Sequence, residues 1–357
     1  MSVFPLRVAL TLALALAAAL LCVWLRTPLP WMIGPLLATS AVSILGAPTR
    51  SWLPLRNAGQ CVIGMALGLY FTPQVVALVA SLWWAIALGI AWALLLGWLF
   101  GAWLHRGHAA GMGVGPREQR ATSYFAGAIG GASEMTLLAE REGARTDLVA
   151  AAHSLRLVIV TVCIPFAFSL ADLHGLDATL PGPRSVQPLG LALLAAAAAL
   201  GAWLLQRAGR ANPWFMGALL VAMGFTMAGI ELSALPTALT NAAQLLIGIS
   251  LGVRFQAGFL RTAPRWLASV AVGTVVMIVA CAGFALALAW LTGLPAATLV
   301  LSTSPGGIAE MAITAKVLQL GVPVVTAFQV CRLVAILVLV EPLYRRMVRL
   351  GGTGING

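Results

Sequence analysis

The chain reads as a series of apolar runs separated by short polar punctuation. In the first half the runs cover 6–25, 30–46, 57–71, 76–104 and 148–171. In the second they cover 188–206, 213–230, 241–255, 266–291 and 322–344. About 20 apolar residues in a helix cross roughly 30 Å of hydrocarbon. No stretch alternates polar and apolar residues as a barrel strand does, so the spans are expected to be helices. Two further segments, 121–142 and 297–318, are broken by Gly130-Gly131 and by Pro305-Gly306-Gly307.

Composition agrees with the pattern. Apolar residues make up 61% of the chain and charged ones 9%, and mean hydropathy is +0.98. A soluble domain carries about 25% charged residues. An all-α integral membrane protein is expected, with the lipid bilayer as its first partner. The net charge of +11 does not point to nucleic acid, because the basic residues flank apolar runs and no DNA-binding motif is present. The five cysteines lie far apart within apolar runs and are expected to be buried packing thiols.

The first run could pass for a signal peptide, but its pattern returns at 189–205, so it is read as a retained span. That likeness is part of a duplication. PWMIGPLLA (30–38) matches PWFMGALLV (213–221), and LRNAGQCVIGMALGLYF (55–71) matches LTNAAQLLIGISLGVRF (239–255). IGGASEM (129–135) matches PGGIAEM (305–311), and VAAAHSLRLV (149–158) matches VTAFQVCRLV (325–334). The matches keep their order, giving repeats at 1–180 and 181–357 with a joint in the polar stretch 172–188.

Two topologies follow. If 121–142 and 297–318 cross fully, each half has six spans and the repeats are parallel. The basic loop 105–120 then shares a side with the uncharged 292–296, against the positive-inside bias. If each segment is instead a re-entrant, broken hairpin, each half has five spans and the repeats are inverted. The basic groups then gather with both termini on the cytoplasmic side: Arg50 and Arg56; His105, Arg106, Arg117 and Arg120; Arg207 and Arg210; Arg254, Arg261 and Arg265; and Arg345, Arg346 and Arg349. Only Arg26 and Arg184 fall on the other side. The second topology is preferred, and it is the architecture of secondary transporters.

The costly groups inside the apolar runs are also duplicated. Glu134 and Glu310 each lie three residues past a Gly-Gly. An ionisable group at the bilayer centre costs on the order of 3 kcal/mol by insertion scales. Each glutamate either caps a local turn or belongs to a paired site at two hairpin tips. Gly130, Gly131, Gly306 and Gly307 would give those tips left-handed backbone and free amides and carbonyls. Arg156 and Arg332 either bridge to the glutamates or grip a substrate carboxylate or phosphate. His153 and Gln329 precede them by three residues on the same helix face, and His153 could relay a proton. Asn57 with Gln60, and Asn241 with Gln244, are helix glue or site lining. Gly64, Gly68, Gly248 and Gly252 form small-xxx-small pairs for close packing.

Enzymatic chemistry is not expected. The four histidines (His105, His108, His153, His174) form no cluster, no catalytic triad or metal spacing is visible, and there is no P-loop. No cofactor is expected.

The duplicated PW-apolar-G segment, the NAxQ…G…G…F segment and GGxxEM together resemble the bacterial AbrB family of membrane proteins over about residues 5–350. The resemblance implies an inner-membrane protein. The family carries the labels ammonia monooxygenase and regulator of gene expression, and a small soluble DNA-binding regulator of the same name is not similar to this chain. The first label would need a dioxygen-activating metal, for which ligands are missing. The expectation is therefore a transporter of a small polar or anionic solute coupled to H+ or Na+, as a monomer or homo-oligomer. The alternative is a membrane sensor that affects gene expression indirectly. The hairpin topology has its own test. A single cysteine at position 143, in an otherwise cysteine-free chain, should be shielded from impermeant thiol reagents outside intact cells. Ready labelling from outside would overturn it.

Overall fold

The computed structural model describes residues 3–173, 175, 185–255 and 263–352. His174, Asp177, Arg184 and Arg261 lie outside the described residues, as does most of the proposed joint. Among the described residues every regular element is a helix. The first repeat contributes α1 (Val3–Trp24), α2 (Pro30–Ile44), α3 (Leu53–Gly68), α4 (Pro73–Ser81), α5 (Trp83–His108), α6 (Pro116–Gly127), α7 (Ala132–Arg141) and α8 (Thr146–Leu170). The second contributes α9 (Pro188–Arg207), α10 (Pro213–Met227), α11 (Thr237–Gly252), α12 (Pro264–Thr292), α13 (Ala296–Thr303), α14 (Ile308–Val317) and α15 (Val322–Gly352).

Each described α-helix except α4 has a described counterpart in the other repeat. Both α2 and α10 have 15 residues, α3 and α11 have 16, and α7 and α14 have 10. The backbone repeats too. Left-handed residues pair as Arg26 with Gly209, Leu29 with Asn212, Gly46 with Gly229, and Gly143 with Gln319. Leu29 (φ 47, ψ 53) and Asn212 (φ 48, ψ 49) turn the chain into the same Pro-Trp helix start. A left-handed leucine is disfavoured. Leu29 is fully buried, so packing holds it there. Gly143 has φ 69, so the reporter cysteine is better put at exposed Glu140 nearby.

Among the described residues six helices are long and apolar enough to cross a membrane: α1, α5, α8, α9, α12 and α15. They are the same three in each repeat. The other expected spans are shorter. Helices of 15 or 16 residues rise only about 22–24 Å, as α2, α3, α10 and α11 do. The expected span 76–104 is interrupted: α4 ends at Ser81, and α5 starts after Leu82. Helix α4 bends 88° from α3, with Pro73 opening the new direction. Segments 121–142 and 297–318 each form two short helices parted at the Gly-Gly. Cys61 and Cys281 are buried, but Cys163 and Cys331 are exposed. Apolar letters in a membrane helix mark its lipid face as well as its core, so the expectation for these two thiols was wrong.

The chain divides into two compact units that interleave the repeats. One holds 1–81, 161–260 and 309–326, and the other holds 82–160, 261–308 and 327–357. In the first unit, α1 packs on α2 and α9 on α10, while the third helices are exchanged: α3 packs on α10, and α11 on α2. Glycine makes the exchange close. A Cβ on Gly68 would lie 2.6 Å from the Leu219 carbonyl oxygen, and one on Gly252 would lie 2.8 Å from that of Leu36. Gly248 faces the Met32 carbonyl as its counterpart Gly64 faces that of Phe215. Helices α3 and α11 cross where a Gly59 Cβ would meet the Ala243 carbonyl oxygen at 3.0 Å. Gly59 and Ala243 are equivalent positions in the two matched segments.

This packing sets an expectation. Gly64→Val and Gly248→Val should each destabilise the detergent-solubilised protein by about 1–3 kcal/mol, the usual range for overpacking. Gly224→Ala, where an added Cβ meets nothing within 4 Å, should leave the thermal midpoint unchanged. Equal midpoints for all three would contradict the exchange.

Candidate functional site: two capped Gly-Gly breaks

A helix that stops away from water leaves its last carbonyls without partners. Here α6 stops at Gly127 and α13 at Thr303. Both chains then leave in the same extended conformation, at Ala128 (φ −55, ψ 138) and at Ser304 (φ −57, ψ 144). The freed carbonyls are met by side chains from α8 and α15. Arg156 donates to the carbonyls of Ala128 at 2.9 Å and Gly130 at 3.3 Å. Arg332 donates to those of Ser304 at 2.5 Å and Gly306 at 2.7 Å. The four acceptors are two pairs of equivalent residues. Each guanidinium also places its charge at the negative end of a helix dipole.

The residue three before each arginine completes the cap. Gln329 accepts from Arg332 through Oε1 at 2.6 Å and donates through Nε2 to the Leu301 carbonyl at 2.8 Å. His153 does both jobs with an imidazole. Its Nδ1 lies 2.7 Å from an Arg156 nitrogen, and its Nε2 lies 2.9 Å from the Phe125 carbonyl oxygen. A guanidinium can only donate. Nδ1 must therefore accept, Nε2 carries the proton, and the ring is neutral. A proton relay through His153 would first have to break its bond to Arg156. All four side chains are buried, Gln329 completely. The caps lie in one compact unit.

The expected Arg–Glu bridges are not what holds the breaks. Among the described residues neither Glu134 nor Glu310 is ion-paired, and the arginines bond to backbone instead. Each glutamate is the third residue of the helix after its break. A carboxylate there faces unpaired amides and the positive end of the dipole. Glu134 folds back so that its Oε2 covers Gly131, where any Cβ would collide with it. Gly131 has φ −68, so it is not there for left-handed backbone, and the Glu134 carboxylate occupies the space beside it. A Cβ on Gly130 would meet the Met135 side chain at 2.8 Å. Glu310 is the more buried of the two carboxylates and belongs to the other compact unit, where Arg254 and Arg56 exert the positive field on it.

Asn57 and Gln60 flank Gly59, and Asn241 and Gln244 flank Ala243, so the four amides surround the α3–α11 crossing. Gln244 is buried and the others are half-buried. Sequence reasoning missed the clamp at the far end of α7. Buried Glu142 accepts from Arg345 of α15 at 2.8 Å, with Arg117 at 3.8 Å. The second repeat carries Leu318 at the matching position, so the duplication gave no signal for it.

A family described as "Transition state regulatory protein AbrB" matches residues 31–348. The chain is 28% identical over 349 residues to "Uncharacterized protein YhjN" of Bacillus subtilis (strain 168), covering 90% of this chain and 88% of the relative. It is 26% identical over 338 residues to "Putative regulator AbrB" of Escherichia coli (strain K12), covering 91% of each. No solved structure gives a significant match.

The cap chemistry makes His153 replaceable by its counterpart. His153→Gln should keep the thermal midpoint within error, because the amide can accept from Arg156 and donate to Phe125. His153→Leu leaves a buried carbonyl and a guanidinium N–H unpaired, at about 1–3 kcal/mol each. Equal loss in both variants would contradict the cap.

Proposed function

The chain belongs to the AbrB family, and we propose that it works there as a secondary transporter of a small polar or anionic solute, coupled to H+ or Na+. The observation that carries this is the duplicated break: two interrupted helices at matching positions, each followed by a carboxylate on a helix N-terminus. Interrupted helices in matched repeats are where secondary transporters bind solute and ion. Glu134 and Glu310 take the coupling cation, since each is a buried or half-buried carboxylate without an ion-pair partner among the described residues.

Asn57, Gln60, Asn241 and Gln244 line the solute path. Arg156, Arg332, His153 and Gln329 are positioning residues that keep the tips of the breaks in shape. Arg332 has one further resource for an anionic group, because its Nε is buried without an acceptor. The repeats are inverted, with both termini in the cytoplasm of a bacterial inner membrane. The clustering of arginines beside one set of span ends supports that orientation. The printed name of the Escherichia coli relative favours a second reading, a membrane regulator that transports nothing.

Proteoliposomes holding a pH-sensitive dye, given small carboxylates, phosphate or amino acids under an H+ or Na+ gradient, separate the two. Transport predicts flux with at least one solute. Glu134→Gln with Glu310→Gln should lower it by on the order of tenfold or more at equal protein level. Wild-type flux in the double variant removes the glutamates from the mechanism, and no flux with any solute favours the regulator.

A further inference from the structure

Two adjoining cavities lie against α5, α6 and α15 within one compact unit. The first, of about 220 Å³, is walled by apolar side chains such as Leu94, Leu95, Ile336, Val340 and Leu343. The second, of about 240 Å³, has a polar end made by His105, Arg120, Ser123 and Tyr344. Trp98, Tyr124 and Met347 border both cavities and are the side chains at which the two meet. From Leu94 to His105 the wall follows α5 for roughly 16 Å, from an apolar stretch to the helix end that carries His105, Arg106 and His108.

The polar end is unsatisfied. Among the described residues seven buried side-chain polar atoms lack a hydrogen bond, and three of them belong to residues that line this one cavity: His105 Nδ1, Ser123 Oγ and Tyr344 Oη. Ser123 is 1% exposed and Tyr344 3%. A buried polar atom without a partner costs free energy, and native proteins seldom keep three together. No carboxylate borders the cavity. The nearby Glu142 is already held by Arg345 and Arg117. What remains is two hydroxyls, an imidazole nitrogen and the Arg120 guanidinium, a donor set that suits an anion.

We propose that this is a binding site for an anionic phospholipid. Its phosphate bonds to Arg120, Ser123, Tyr344 and His105, and one acyl chain lies in the apolar cavity along α5. A free phosphate fits the polar end but leaves the apolar cavity empty. A zwitterionic lipid fits the apolar cavity but brings a cationic group to Arg120. The chain's far end would touch Ala128 and Ile129, which border the apolar cavity beside the first break. The proposal is independent of whether the protein transports anything.

The test uses the full-length protein in dodecyl maltoside, with binding read by native mass spectrometry and by thermal midpoint. The probes are phosphatidylglycerol, phosphatidylcholine and glycerol 3-phosphate. Phosphatidylglycerol should bind and raise the midpoint, and the other two should not. Arg120→Gln with Ser123→Ala should weaken phosphatidylglycerol by roughly tenfold or more. The same change should leave the lipid-free midpoint unaltered, since Ser123 Oγ has no bond to lose. Tyr344→Phe, which removes only the orphaned hydroxyl, should weaken the lipid in the same direction. Equal binding of phosphatidylcholine, or phosphatidylglycerol affinity retained in the variants, would overturn the proposal. Glycerol 3-phosphate binding as tightly as the lipid would overturn it too, and would assign the polar end to a soluble anion.

Discussion

A backbone carbonyl that faces hydrocarbon without a donor costs several kcal/mol. A helix that stops inside a membrane frees carbonyls of this kind at its end. This chain stops two helices beside a Gly-Gly and supplies the donors from a neighbouring helix, twice, with matching partners. Arg156 and Arg332 each reach two carbonyls of the exit strand, and His153 and Gln329 reach one turn further back. A lysine would not substitute, because one planar guanidinium reaches both carbonyls and the neighbouring side chain at fixed spacing. The caps hold the carbonyl side of each break and leave the amide side, with its glutamate, for other partners.

Both compact units rely on glycine for close packing. In one, short helices exchange partners between the repeats, and glycine brings backbone to within contact distance at Gly64, Gly68, Gly248 and Gly252. Apolar helices in lipid gain little from hydrophobic burial against each other, so close packing and small residues must hold them. In the other unit the same problem recurs at Gly101, where an added Cβ would lie 2.9 Å from the Ser123 carbonyl oxygen. That contact fixes α6 against α5, so the start of the first break has a rigid support. Glu142 and Arg345 hold the far end of α7 to α15. The segment between is free to present Gly131 and Glu134.

Much of this was legible in the sequence because the duplication printed each important feature twice. PWMIG and PWFMG, the two Asn/Gln pairs and the two Gly-Gly breaks could be matched in the sequence, and the helices that carry the first two, and those that follow the breaks, agree in length. The arginines were found for the same reason, but their partners were misjudged. A carboxylate has a letter in the sequence and a carbonyl does not, so within the chain a nearby glutamate was the visible candidate, beside a substrate anion. The glycines were misread for a related reason. Sequence shows that a side chain is absent but not whether space or dihedral angle requires it, and at Gly131 it is the space that Glu134 fills. The break between α4 and α5 was lost because Leu82 is as apolar as its neighbours. The cavity lined by Ser123 and Tyr344 left no trace in the repeats at all.

The central claim is that each arginine holds the break of its own repeat. Hydrogen–deuterium exchange in nanodiscs tests it directly, following peptides across 128–134 and 304–310 in the native chain, Arg156→Gln and Arg332→Gln. The account predicts that Arg156→Gln speeds exchange across 128–134 by about tenfold or more, as local opening does, while 304–310 and the other helices keep their native rates. Arg332→Gln should do the reverse. Unchanged exchange at the matching break, or equal acceleration at both breaks in either variant, would contradict it.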